Sequence, residues 1–156
     1  MSETQLDGKG AIVTCPSCGQ RNRLAFGKLT AETRCGKCQT KLGAPAEPIE
    51  TPDASAFDAA IAASALPVVV DFWAPWCGPC RVVAPELERV AASNQGRYLI
   101  LKVNPDAIPE LGDRFRIRSI PTMAVFSGGR EVGRTAGARP AADIEAFIRS
   151  TISAHA

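Results

Sequence analysis

The sequence lacks a long apolar run, a strong charge of either sign and any His besides His155. No stretch approaches the ~18 consecutive apolar residues of a membrane-spanning helix, so no membrane role is expected. Eighteen basic side chains against sixteen acidic ones leave a formal charge of +2. That is far from the basic excess of a nucleic-acid binder. Residues 1–10 are polar, with no apolar centre of a signal peptide, and no lipid-attachment signal is read. A cytoplasmic location is therefore expected. Apolar side chains make up 46% of the 156 residues and charged ones 22%. This excludes a disordered chain and suits one ordinary domain with a small appendage.

The six cysteines form three C-x-x-C pairs: Cys15/Cys18, Cys35/Cys38 and Cys77/Cys80. In a cytosolic chain such pairs read as metal-binding or catalytic rather than as a disulfide framework. Pro45, Pro48 and Pro52, in a stretch without hydrophobic period, predict a semi-extended linker. The expected organisation is a metal-binding ribbon over 1–43, a Pro-rich linker over 44–52 and a larger unit over 53–156. The small unit cannot bury a sufficient core alone. It also carries the positive balance, with seven basic residues and one acid between Lys9 and Lys41.

Sixteen residues separate Cys18 from Cys35, a spacing that points to a four-thiolate zinc site. Each two-residue turn lets both sulfurs of a pair point one way, and two such turns supply a tetrahedron. Gly19 and Gly36 are expected where tight turns need positive φ, and residues 20–33 supply a short strand or two. Neither pair is followed by His, so c-type haem is excluded. Two disulfides, or iron in place of zinc, are the alternatives. A four-thiolate site is closed and therefore structural, and its metal contributes folding free energy. Four thiolates on Zn²⁺ carry −2, which offsets part of the basic excess. Phe26 is the unit's one aromatic residue, so no stacking platform for nucleic acid is visible.

In the larger unit Asp53 can cap a helix over 54–63, with Phe57 and Ile61 on one face. Residues 68–73 read as a strand buried on both faces. Gly78-Pro79-Cys80 opens a helix that continues through Val83, Leu87 and Val90, with Pro85 as a kink. A strand over 98–104, a short helix over 107–115, a hairpin with strands 122–126 and 131–136, and a helix over 140–152 complete the order. The expected fold is α/β: a mixed central sheet flanked by helices.

Cys77 falls just ahead of a helix N-terminus, where free N–H groups and the helix dipole favour a thiolate. Cys80 is one turn away. The arrangement suits dithiol–disulfide exchange, with Cys77 attacking and Cys80 resolving. Asp71 is a carboxylate in a strand expected to be buried, so a raised pKa is expected. It either lies beneath the cysteines and relays the Cys80 proton, or points to an edge or pairs with Lys102.

Asp71-Phe-Trp-Ala-Pro-Trp-Cys-Gly-Pro-Cys80, with Ile120-Pro121-Thr122, Pro85, Gly129 and Gly137, resembles the thioredoxin family over residues 53–153. With the two earlier cysteine pairs the whole chain is similar to its zinc-containing bacterial type. The resemblance implies a thioredoxin fold with an N-terminal zinc ribbon, and a protein-disulfide reductase. Its partners would be disulfide-containing proteins and an NADPH-dependent, flavin-containing thioredoxin reductase, with the chain a monomer. It implies Cys77 as nucleophile, Cys80 as resolving thiol, Asp71 as buried acid/base beside Lys102, and a cis bond before Pro121. Trp76, Gly78, Ile120 and Gly137 would border the docking surface. One zinc per chain would sit on Cys15, Cys18, Cys35 and Cys38. Pro75 departs from the family, where acidic and other residues are common, and bears on partner preference. The competing function is a zinc-ribbon binding adaptor with a redox-sensing role.

Overall fold

Val68, Val69, Val70, Asp71 and Phe72 are all buried, as a strand must be when both faces of its sheet are covered. The computed structural model describes residues 4–155; positions 1–3 and 156, the outer ends of the two expected units, lie outside the described residues. In chain order the elements are β1 (Gln5–Leu6), β2 (Gly10–Thr14), β3 (Arg21–Ala25), β4 (Thr33–Arg34), β5 (Lys41–Leu42), β6 (Ile49–Glu50), α1 (Ala54–Ala63), β7 (Val68–Phe72), α2 (Gly78–Ser93), β8 (Leu99–Val103), α3 (Pro109–Arg114), β9 (Thr122–Ser127), β10 (Arg130–Ala136) and α4 (Ala141–Ala154).

The main sheet has the order β10-β9-β7-β8-β6. β7 and β6 both pair with β8 in parallel, while β9 is antiparallel to β7 and to β10. Alternation sorts the side chains. Val68, Val70, Phe72, Leu99 and Leu101 face the cluster that holds Phe57 of α1 and Leu111 of α3. Val69, Ile100 and Val125 face Leu87 of α2 and Ile148 of α4. Phe57, Phe115 and Phe126 pack edge to face with centroids 5.3–5.8 Å apart, an arrangement that aromatic quadrupoles favour.

Local chemistry sets the boundaries. The Asp53 carboxylate accepts from the Ala56 N–H at 2.8 Å and caps α1. α3 starts at Pro109, two residues later than expected. The Ala107 and Ile108 N–H groups are drawn into a turn on the Asn104 carbonyl, and Pro suits the first helical position. The β9–β10 turn is Gly128-Gly129 alone, both at positive φ, the conformation that a tight hairpin needs. Farther along β10 the register slips between Glu131 and Gly133.

The semi-extended linker expected over 44–52 contains a paired strand: Ile49–Glu50 is the edge strand β6, and Ile49 is fully buried. The ribbon, expected to be too small for a sufficient core alone, shares one. Leu6, Leu24, Phe26 and Leu42 belong to the same apolar cluster as Phe57 and Leu101. The Ala65 N–H donates to the Phe26 carbonyl at 3.0 Å, and Gln95 Nε2 to the Ala44 carbonyl at 2.6 Å. A unit too small to bury its own apolar side chains borrows the α1 face of its neighbour.

Phe26 is 2% exposed at this junction. Phe26→Ala is expected to lower stability by about 3–5 kcal/mol. Both tryptophans, Trp73 and Trp76, lie in the larger unit, so their fluorescence during urea unfolding reports on that unit. A lowered midpoint there shows that ribbon and sheet unfold together; an unchanged one refutes the shared core.

Candidate redox site and metal centre

β7 delivers the chain to the carboxyl end of the sheet, and residues 73–76 turn it into α2. The Cys77 N–H donates to the Ala74 carbonyl at 3.1 Å, and Arg81 donates twice to the Pro75 carbonyl, at 2.8 and 3.1 Å. Cys77 is the N-cap of α2, where the Cys80 N–H donates to its Sγ at 3.2 Å. Pro79 occupies the first turn, where a missing N–H costs nothing. Cys77 and Cys80 form a disulfide with Cα atoms 5.3 Å apart.

Other expected site residues converge on this point. The Ile120–Pro121 bond is cis. Cys77 Sγ lies 3.8 Å from the Ile120 carbonyl oxygen. The Gly137 N–H donates to the Pro121 carbonyl at 2.9 Å, with Gly137 at φ 98°. Trp76, Cys77, Gly78, Ile117 and Ile120 line an open groove of about 600 Å³. Gly137 and Pro121 are not among the residues that line it. Trp76 is 67% exposed, and its Nε1 donates to Asp106 at 2.8 Å.

Asp71 lies in β7 on the face covered by α2 and α4, since it is two residues from Val69. It is 2% exposed, so the edge position is excluded. Among the described residues its Oδ1 has no hydrogen-bond partner. Burial raises its pKa to about 7, opposed by the charge of Lys102 and assisted by that of Glu50. Lys102 is its register partner on β8.

In the ribbon the two cysteine pairs form matching turns. The Gly19 N–H donates to the Cys15 carbonyl and the Gln39 N–H to the Cys35 carbonyl, both at 3.0 Å. The positive φ falls at Gly19 and Gln39, one residue past each pair, and not at Gly36 as expected. The four sulfurs lie within 4.8 Å of one another, with Cys15–Cys38 and Cys18–Cys35 each at 3.6 Å. A tetrahedron with metal–sulfur bonds of ~2.3 Å has edges of about 3.8 Å, so the donor set fits Zn²⁺. N–H donors favour a thiolate at Cys35, where the Cys38 backbone, then the Lys37 backbone and Asn22, lower the pKa to about 6 despite burial; at Cys18 the Gln20 backbone N–H is outweighed by desolvation and the neighbouring thiols, which raise it to about 11.

The family description of thioredoxin matches residues 48–150, and that of the thioredoxin 2 N-terminal zinc ribbon matches residues 14–40. The chain belongs to the thioredoxin family. Thioredoxin C-3 of Corynebacterium nephridii is 38% identical over 138 residues, covering 88% of this chain and 92% of its own. The bifunctional thioredoxin reductase/thioredoxin of Mycobacterium leprae is 47% identical over 91 residues, 58% of this chain and 20% of that protein. Among solved structures, a mutant thioredoxin from Halobacterium salinarum aligns with a TM-score of 0.64 and 25% identity, over 70% of this chain and 95% of that one. Thioredoxin of Plasmodium falciparum aligns at 0.60 and 30% identity, over 65% and 96%. The chain is thus a thioredoxin-family disulfide oxidoreductase with a zinc ribbon and the redox pair Cys77–Cys80. No helix among the described residues is long and apolar enough to cross a membrane.

Two residues of this thioredoxin site escaped the sequence reading. Asp106 holds the exposed Trp76. Glu50 accepts from Trp73 Nε1 at 3.1 Å. Neither sits in a motif; each is recognisable only once the loops are placed.

The Asp71 carboxyl supports a pH prediction. In the unfolded chain it titrates near ~3.9. Between about pH 4 and 7 the folded chain keeps a proton that the unfolded chain has lost, so stability falls as pH rises through that window. The penalty is complete above pH 7. Asp71→Asn is expected to be more stable than the parent at pH 8 by on the order of 4 kcal/mol, with the gain shrinking by pH 5. Urea midpoints at the two pH values check this; an equal gain at both contradicts the assigned burial cost.

Proposed function

We propose that the chain reduces disulfides of cytoplasmic proteins through Cys77-Gly-Pro-Cys80. The observation that carries this reading is the Cys77 sulfur at the start of α2, facing the Cys80 N–H and bordering the groove beside Ile120. After reduction, that N–H and the helix dipole stabilise a Cys77 thiolate.

The thiolate attacks one sulfur of the substrate disulfide, forms a mixed disulfide and expels the other sulfur as a thiolate. Asp71, ionised near neutral pH in a fraction of molecules, takes the Cys80 proton. The Cys80 thiolate then attacks Cys77 Sγ, closes the Cys77–Cys80 disulfide and releases the second substrate thiolate. Two electrons pass from the cysteine pair to the substrate, and protons return to the leaving thiolates from solvent and Asp71. Trp76, Gly78, Ile120 and Gly137 border the surface that receives the substrate, and the Ile120 backbone pairs with an extended segment.

A flavin-containing thioredoxin reductase using NADPH would regenerate the dithiol. The name of the Mycobacterium leprae relative, in which reductase and thioredoxin are joined, supports that partner. Cys15, Cys18, Cys35 and Cys38 would hold one structural Zn²⁺ per chain, which when bound cross-links the two turns of the ribbon. The division at 1–43, 44–52 and 53–156 is kept as a division of roles. The chain is read as a monomer.

The test is NADPH-dependent insulin reduction with thioredoxin reductase, with zinc measured on the same sample. Turnover and one zinc per chain are expected; thiols that stay reduced without turnover, with zinc present, would favour the binding adaptor. Cys77→Ser is expected to abolish turnover with the fold kept. Cys80→Ser is expected to accumulate mixed disulfides with client proteins, separable on non-reducing gels. Recovering none of these adducts counts against the exchange chemistry.

A further inference from the structure

The connector between ribbon and sheet places an unexpected charge beside the redox site. β6 aligns Glu50 with Lys102 on β8, and β8 aligns Lys102 with Asp71 on β7. All three belong to the sheet face covered by α2: Asp71 and Lys102 lie two residues from Val69 and Ile100, and Glu50 alternates with Ile49 of the opposite cluster. The row is acid, base, acid. Trp73 ties it together. Its Nε1 donates to Glu50 Oε2 at 3.1 Å, and Lys102 Nζ sits 3.9 Å above its ring centroid. A cation over an aromatic face is held electrostatically, so Trp73 holds Lys102 in the row, where its charge acts on both Glu50 and Asp71.

We propose that Glu50 is a positioning residue for Asp71: through its own charge and its hold on Trp73 and Lys102, it sets how readily Asp71 takes up and gives up a proton. The proposal rests on the reading of Asp71 as the proton acceptor for Cys80. The charge acts in a definite direction. A second negative charge disfavours ionisation of Asp71, and Lys102 favours it. Other groups border the row. Glu47 of the connector and Glu88 of α2 line a cavity of about 440 Å³ with Lys102. Met123, the β9 register partner of Asp71, is uncharged, and α2 brings Cys77 and Cys80 to its end of the sheet. Glu50 has its outer surface exposed. Burial of its carboxylate raises its pKa, against the Trp73 N–H and the Lys102 charge.

The substitution Glu50→Gln removes the charge and keeps a carbonyl oxygen for Trp73 Nε1; Glu50→Asp keeps the charge on a shorter arm. The readout is the Asp71 titration midpoint in the oxidised full chain, followed by carboxyl-carbon NMR, which does not depend on turnover. Glu50→Gln is expected to lower the midpoint by about half a pH unit or more, and Glu50→Asp to stay nearer the parent. A Glu50→Gln midpoint within about 0.2 unit of the parent overturns the proposal. So does an equal shift in both variants, which marks a purely structural role. The pH dependence of insulin reduction separates the two readings. A moved Asp71 midpoint with an unmoved rate profile upholds the Glu50–Asp71 coupling and rejects Asp71 as the proton acceptor.

Discussion

A carboxylate with one oxygen unpartnered among the described residues, in the central strand of a sheet covered on both faces, is the constraint on which the site depends. Burial holds Asp71 near neutrality, and the strand's position holds it at the sheet end from which α2 departs. The same burial that makes β7 the spine of the core makes its one polar side chain responsive at ordinary pH. Stability and chemistry draw on one residue in opposite directions. A well-packed neutral side chain would stabilise the sheet and remove the proton acceptor proposed for Cys80.

The redox segment was legible because several local signals agree there. A β-branched run, a turn, a Pro in the first helical turn and a C-x-x-C pair each point to strand–turn–helix with sulfur at the helix start. The four ribbon cysteines were legible by spacing alone. The less visible features depend on long-range pairing. β6 has two residues among three prolines, too short to show a period. Its existence rests on hydrogen bonds to β8, more than fifty positions away. Glu50 therefore gave no sign of lying in line with Asp71. At the second ribbon turn, Gly36 looked like the residue for a strained backbone, yet the strain falls on Gln39. The turn repeats the geometry at Gly19, and that position is one past the pair.

The ribbon was expected to be too small for a core of its own and to gain folding free energy from a metal. Its apolar residues merge with the α1 side of the larger unit, through Phe26 and the Ala65 hydrogen bond. A metal on the four cysteines would be complementary to that core. It would order the two turns, while the shared apolar cluster fixes where the ribbon sits. The connector pairs with β8 on its way between them, which is how a residue preceding the thioredoxin helices comes to stand in one row with Asp71, across Lys102.

The slipped register of β10 bears on a different hazard. β10 is the open edge of the main sheet, seven residues long, with a row of backbone donors and acceptors. The irregularity at Glu131–Gly133 breaks that row, and Arg130, Glu131 and Arg134 put charge along it. An incoming strand meets a twisted, charged border rather than a template for cross-β growth. A protein proposed to receive extended segments of other chains at one end of its sheet is thereby guarded against accepting them along its side.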